Sequence, residues 1–223
     1  SDVCSSDLSN LEQVSFASPR VDIRDISDPS NSLHFASSGN ASSLEVRDFD
    51  LQYSGITLLG DFQADIIEQN FLRFSSQFSV QDVPYSFSGS FKPGKELTVQ
   101  GDYDFSSILL FSDEHILLSL ECSEFPVPLP ENQISLSLSL HGSYISSEEW
   151  QVALRKGSIS SIPLKGLPPG SLTVNGRITS ENIIINKLLY TDTLSVISGS
   201  GMANINLLNP NKGEAWVNLQ SQE

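Results

Sequence analysis

Cysteine, charge and helical pattern are all scarce in this 223-residue chain, and each scarcity removes a class of protein. Of two cysteines, Cys4 stands in the opening "SDVCSSDL", which matches the reading-frame translation of a common sequencing adapter. Residues 1–8 are therefore set apart as non-native, leaving 9–223 as a single repetitive segment of a longer protein. Cys122 is then unpaired, which excludes an internal disulfide and a CxxC redox or metal pair. It alternates in phase with Ile116, Leu118 and Leu120, as a buried apolar thiol would. Charged residues make up 17% of the chain against roughly 25% in ordinary domains. They are unbalanced, 12 Lys+Arg against 27 Asp+Glu. No basic stripe exists for nucleic acid or for an anionic membrane surface.

No run of 18 or more apolar residues occurs, so no membrane-spanning helix lies within this stretch. Catalytic and ligand motifs are missing too. His34, His115 and His141 stand apart, without HExxH spacing, and no GxSxG elbow, GxxxxGK[ST] loop or helix-opening GxGxxG is present. The carboxylate neighbours Asp113/Glu114 and Glu148/Glu149 sit beside turn sequences, where solvated charge is expected. These features predict a protein that is not an enzyme and holds no cofactor or metal.

What the chain does have is period-2 alternation almost everywhere. Leu44/Val46, Phe49/Leu51/Tyr53, Val83/Tyr85/Phe87, Ile116/Leu118/Leu120 and Leu172/Val174 are examples, separated by turn chemistry such as "KPGKE" 92–96 and "NPNKG" 209–213. Strands at intervals of about 12–18 residues predict 12–14 strands in an antiparallel meander. Two stretches also carry helix signals, "SDEHILLSLE" 112–121 and "SSEEWQVALRKG" 146–157. Their in-phase apolar residues favour strand in both.

A dozen such strands present far more apolar surface than a soluble protein tolerates uncovered, and no amphipathic helix is available to cover it. The sheet must fold on itself, pair with another, face lipid or hold a ligand. Glycines bear on the choice, because several fall in phase with the apolar side. They are Gly60 between Leu58 and Phe62, Gly89 between Phe87 and Phe91, Gly101 after Val99, Gly142 after Leu138 and Leu140, and Gly176 after Val174. Gly199 and Gly201 precede Ala203 and Ile205 in the same way. A mid-strand glycine costs about 0.5–1 kcal/mol against alanine, so its recurrence indicates a shared bend or a close approach of another backbone. Ordinary bends in a closed sandwich or barrel are the alternative.

The φ-x-φ-x-G-x-φ texture, the meander of ten-residue strands and the ending "DTLSVISGSGMANINLLNP" resemble the TamB/AsmA-like superfamily of bacterial envelope proteins. The resemblance spans most of 44–219 and implies an all-β, elongated, strongly curved, taco-like sheet forming an apolar groove. It further implies a periplasmic location and anchorage to the inner membrane through a preceding N-terminal segment. Phospholipid acyl chains would lie in the groove on their way between the membranes, with an outer-membrane barrel of the TamA/BamA type as partner in protein assembly. The groove-lining positions expected are Leu58, Gly60, Phe62, Phe87, Gly89, Phe91, Val99, Gly101, Leu118, Leu138, Leu140, Gly142, Val174, Gly176 and Ile205. A structural β-sandwich or adhesin-like passenger with a self-filled core is the alternative. An outer-membrane barrel fragment fits less well, since Phe supplies 12 of the 19 aromatics and sits mid-strand rather than in girdles.

Overall fold

A computed structural model describes residues 15–25, 27–28, 30–68, 71–129, 133–162, 169–204 and 214–222. The adapter-like residues 1–8 and Ile205 lie outside them. The chain is all-β, with no helix among the described residues. It divides into two compact units, Ser1–Pro93 and Gly94–Glu223, at the "KPGKE" turn.

The first unit holds β1 (Ser15–Arg24), β2 (Ser32–Asn40), β3 (Ser43–Tyr53), β4 (Ile56–Glu68), β5 (Phe71–Val80) and β6 (Val83–Lys92). The second holds β7 (Glu96–Gly101), β8 (Ser106–Phe111), β9 (Ile116–Pro128), β10 (Gln133–Tyr144) and β11 (Trp150–Ile162), followed by β12 (Gly170–Thr179), β13 (Asn182–Thr191), β14 (Val196–Asn204) and β15 (Glu214–Gln222). Within each unit strand order is chain order and neighbours are antiparallel, so each is an open meander. The fifteen strands among the described residues exceed the 12–14 expected. The difference arises at 102–105, where the alternation Val99-Gly101-Tyr103-Phe105 reads as one strand. Tyr103 and Asp104 adopt left-handed φ of 61° and 52°, and the Gly101 N–H donates to the Phe105 carbonyl at 2.9 Å. The chain therefore turns there and β8 separates from β7.

Both ambiguous stretches are strands. Asp113 and Glu114 lie in the turn before β9, closed by the Ser112 N–H on the His115 carbonyl at 2.9 Å. Glu148 and Glu149 lie in the turn before β11, with the Ser146 Oγ accepting from the Glu149 N–H at 3.1 Å. A capping-box sequence here closes a hairpin rather than opening a helix, because Trp150, Val152 and Leu154 have cross-strand apolar partners to pair with.

The strands are interrupted by two-versus-one bulges. Val46 and Phe49 of β3 face Phe62 and Gly60 of β4, so Arg47 and Asp48 together oppose Asp61. Asp48 takes a left-handed φ of 52°, and its N–H donates to Asp61 Oδ1 at 3.0 Å. The device recurs in β9, where Ser123 and Glu124 oppose Ser137 and the Glu124 N–H donates to Ser137 Oγ at 2.9 Å. It recurs again at Arg155–Lys156 in β11 and Asn186–Lys187 in β13. Such bulges bend the strand and raise its twist. Here a neighbouring side chain satisfies the freed backbone donor at Asp48 and at Glu124.

Candidate functional site: an uncovered apolar face

Directly paired residues of an antiparallel ladder project to the same side, so the registers define the faces. In the first unit Leu58 aligns with Leu51 and Val80, Gly60 with Phe49 and Phe78, and Phe62 with Val46 and Ser76. Tyr85, Phe87, Gly89 and Phe91 of β6 continue that side opposite Phe78, Ser76, Phe74 and Leu72. All six site positions expected in this unit therefore share one face. It is rich in aromatics: Phe78 stacks on Tyr85 and Phe87 at centroid distances of 5.4 and 5.5 Å, and Phe62 on Phe74 at 6.3 Å. The reverse side is polar. It carries Arg20, Asp22, His34, Glu45, Arg47, Gln63 and Arg73, with Arg20 Nε 2.8 Å from Asp22 and His34 hydrogen-bonded to the same carboxylate.

The second unit presents rows that cross from strand to strand. One runs Val99–Ser107–Leu120–Leu140–Leu154–Gly176–Ile185–Gly201–Val217, and the next contains Leu118, Gly142, Val152 and Ile178. A third joins Cys122, Leu138, Gly157, Val174, Leu188, Gly199 and Leu219. Val99, Leu118, Leu138, Leu140, Gly142, Val174 and Gly176 thus lie on one face. Gly101, two residues beyond Val99, ends β7 instead of occupying a mid-strand position. The serines between the leucines of β10, with His141, take the other face beside Glu121 and Lys156.

Almost nothing on these faces is closed off. Ala64, Tyr85 and Tyr190, with Pro126, are the buried apolar side chains among those described, and no side chain there is fully buried. Most of the apolar face is half-buried, covered by lateral neighbours rather than by a second layer. Among the described residues of each unit no helix or second sheet lies over it. This is the opposite of a close-packed interior, where a core residue touches 6–12 others.

The glycines have several physical roles. At Gly60 an added Cβ would meet the Gln77 carbonyl oxygen at 2.5 Å and Phe78 Cβ at 2.5 Å. At Gly176 it would collide with the Ile184 carbonyl oxygen of β13. In both, the next strand's backbone crowds the apolar side, and only hydrogen fits. Gly142 is roomier, with nearest contacts at 3.3, 3.4 and 3.6 Å. At Gly170 the Tyr190 ring fills the space instead, an aromatic lying over a bare backbone.

Apolar-face residues that were not among the expected groove positions include Val46, Phe49, Phe125, Leu154, Ile185 and Leu188. Each flanks a bulge, where the apolar phase slips by one residue. That slip is visible in the sequence as two polar residues between apolar ones, for example Val46-Arg47-Asp48-Phe49.

The electrostatics are those of a solvated polar side. Asp22 is held below the usual carboxylate range by the Arg20 guanidinium and then by His34. Asp192 is held down chiefly by the Leu194 N–H in the β13–β14 turn. Burial pushes the Cys122 thiol and the Tyr190 phenol up. Among the described residues no three His, Cys, Asp or Glu side chains converge to hold a metal ion, and no helix is long and apolar enough to cross a membrane.

These features define a class: an open antiparallel meander in which the described residues of each unit leave one apolar face without a second layer. No family model, curated protein or solved structure matches the chain.

Proposed function

We propose that this chain is a lipid-carrying segment of the TamB/AsmA-like kind, lying in the periplasm of a bacterial envelope. Phospholipid acyl chains rest on the apolar face of each unit, and their headgroups stay in water. The observation that carries this reading is the continuity of the apolar rows together with the absence, among the described residues of either unit, of a layer that covers them. Each acyl methylene taken out of water against such a face contributes about 0.8 kcal/mol. Equivalent rows on successive strands give sites of similar affinity, which suits a ligand that slides rather than one held tightly in a single place. The mechanism is non-covalent and uses no catalytic residue. In the same proposal, anchorage to the inner membrane comes from outside this stretch, and an outer-membrane barrel of the TamA/BamA type is the protein partner.

The two sides of β10 provide the test. A photo-crosslinking residue placed at Leu138, in cells exporting the protein, should yield phospholipid adducts. The same residue at Ser137 should yield none. Adducts at Ser137 but not at Leu138, or a purified protein free of lipid whose Leu138 probe captures only protein, would overturn the proposal. The second of those outcomes would favour a structural segment with a self-filled core.

A further inference from the structure

The bases of the second unit are scattered along the sequence, and the strand registers gather them. In a chain of net charge −15, β11 to β14 contain no acidic residue. Their charged side chains are Arg155, Lys156, Arg177 and Lys187, all exposed. Lys156 pairs with Ser139, which puts it on the polar side of the sheet. With Arg155 it forms the bulge doublet opposite Asn175, and Asn175 pairs in turn with Lys187. Arg177 lies two residues along β12, paired with Ala153 and Ile184. Lys156 and Lys187 therefore flank one residue of β12, roughly 10 Å apart at Cα, with Arg177 about 7 Å from Asn175. The ion pairs among the described residues lie in the first unit, so no carboxylate neutralises these four. Asn175 fixes the arrangement. Its Nδ2 donates to the Arg155 carbonyl at 2.6 Å, and its Oδ1 accepts from Asn186 Nδ2 at 3.2 Å. One amide thus ties both bulge doublets, Arg155–Lys156 and Asn186–Lys187, to the strand between them.

We propose that this patch binds a small soluble anion of the diphosphate class, on the side of the sheet opposite the apolar face. Like charges gathered in this way repel one another, and a bound anion offsets that repulsion. Two linked phosphoryl groups present acceptor oxygens in several directions. That suits two ammonium groups and one guanidinium fork converging from three adjacent strands. Carboxylates limit the patch on three sides. Glu121 stands two strands from Lys156, Glu148, Glu149 and Glu181 occupy the turns at one end, and Asp192 occupies a turn at the other. They would repel a long polyanion or an anionic bilayer, so the ligand is compact. The site does not depend on what occupies the apolar face.

Isothermal titration calorimetry of the full chain with inorganic pyrophosphate, at low salt and without divalent cations, should show saturable one-to-one binding. The affinity should fall as salt is added. Arg177→Gln and Lys187→Gln should each lower it about tenfold. Lys95→Gln, which removes a base in the β6–β7 turn, should leave it unchanged. Asn175→Ala keeps every charge but unties the two doublets, and should weaken binding severalfold. Far-UV circular dichroism checks that each variant retains its sheet. No saturable binding up to about 10 mM pyrophosphate overturns the proposal. So does an equal loss in Lys95→Gln, or full affinity in Asn175→Ala, because either result makes the interaction one of net charge alone. Binding to phosphatidic acid vesicles that pyrophosphate fails to displace would overturn it in favour of a membrane surface.

Discussion

Gly60→Ala should destabilise the first unit, whereas Gly142→Ala should leave the second nearly unchanged. Judged from sequence the two substitutions are equivalent, since each glycine interrupts an apolar stripe on a strand. The structure separates them. At position 60 the new methyl group would lie 2.5 Å from the Gln77 carbonyl oxygen and 2.7 Å from Phe78 Cα. Those are backbone atoms, so β4 and β5 must move apart. Overpacking of this kind costs about 1–3 kcal/mol. Replacing glycine also restricts the unfolded chain, which returns about 0.4–1 kcal/mol. The net loss is about 1–2 kcal/mol. At position 142 the nearest atoms, the Gln151 oxygen and Val152 Cγ2, stand at 3.3 and 3.4 Å, and a few tenths of an ångström of adjustment suffices. The unfolded-state gain then offsets the crowding, and the net change stays within about 0.5 kcal/mol. Thermal melts followed by far-UV circular dichroism should place Gly60→Ala several degrees lower, at about 2–4 °C per kcal/mol for a chain of this length. Gly142→Ala should melt within about 2 °C of the parent on the same scale. Equal shifts for the two variants, or a stabilised Gly60→Ala, would refute the assignment of close backbone approach to Gly60.

Acid should weaken the fold through carboxylates whose pKa lies lower in the folded chain than in the unfolded one: Asp22 beside Arg20, Asp25 beside Ser27, and Asp192 beneath the Leu194 N–H. Groups shifted down contribute stability above the unfolded pKa, about 3.9 for Asp, and lose it as pH falls through the folded value. Melting temperature should therefore hold from pH 7 to 5 and fall below about 4, with a smaller fall in Asp192→Asn; an identical acid profile in that variant would remove Asp192 from the account. Cys122, half-buried beside Leu138 with its thiol pushed up by desolvation, should alkylate more slowly in the folded protein than in urea. In a Cys4→Ser background, equal rates would place the thiol in water instead.

Much of this architecture is legible in the sequence because its main determinant is local. Strict alternation fixes which side of each strand is apolar, and the registers keep those sides together across β2 to β6 and across β7 to β15. Alternation also decided correctly between helix and strand at 112–121 and 146–157. Two things were less legible. The break between β7 and β8 depends on left-handed backbone at Tyr103 and Asp104, which neither residue type demands. The different crowding at Gly60, Gly142 and Gly176 depends on how the next strand is displaced, and a one-strand pattern carries no information about its neighbour.

The bulges connect these two levels. If β3 continued in the phase of Leu44 and Val46, Asp48 and Asp50 would project onto the apolar side, because a one-residue slip reverses every later side chain. The bulge at Arg47–Asp48 prevents this and returns Phe49 and Leu51 to the side of Val46. In β9 the doublet Ser123–Glu124 does the same for Phe125 and Val127, and in β13 Asn186–Lys187 does so for Leu188 and Tyr190. Each polar doublet thus bends the strand and keeps charge off the apolar face in one step. An extra residue that kept a face apolar only by chance would not recur on strand after strand between large hydrophobic residues. Its recurrence means that curvature and an unbroken apolar surface are specified together.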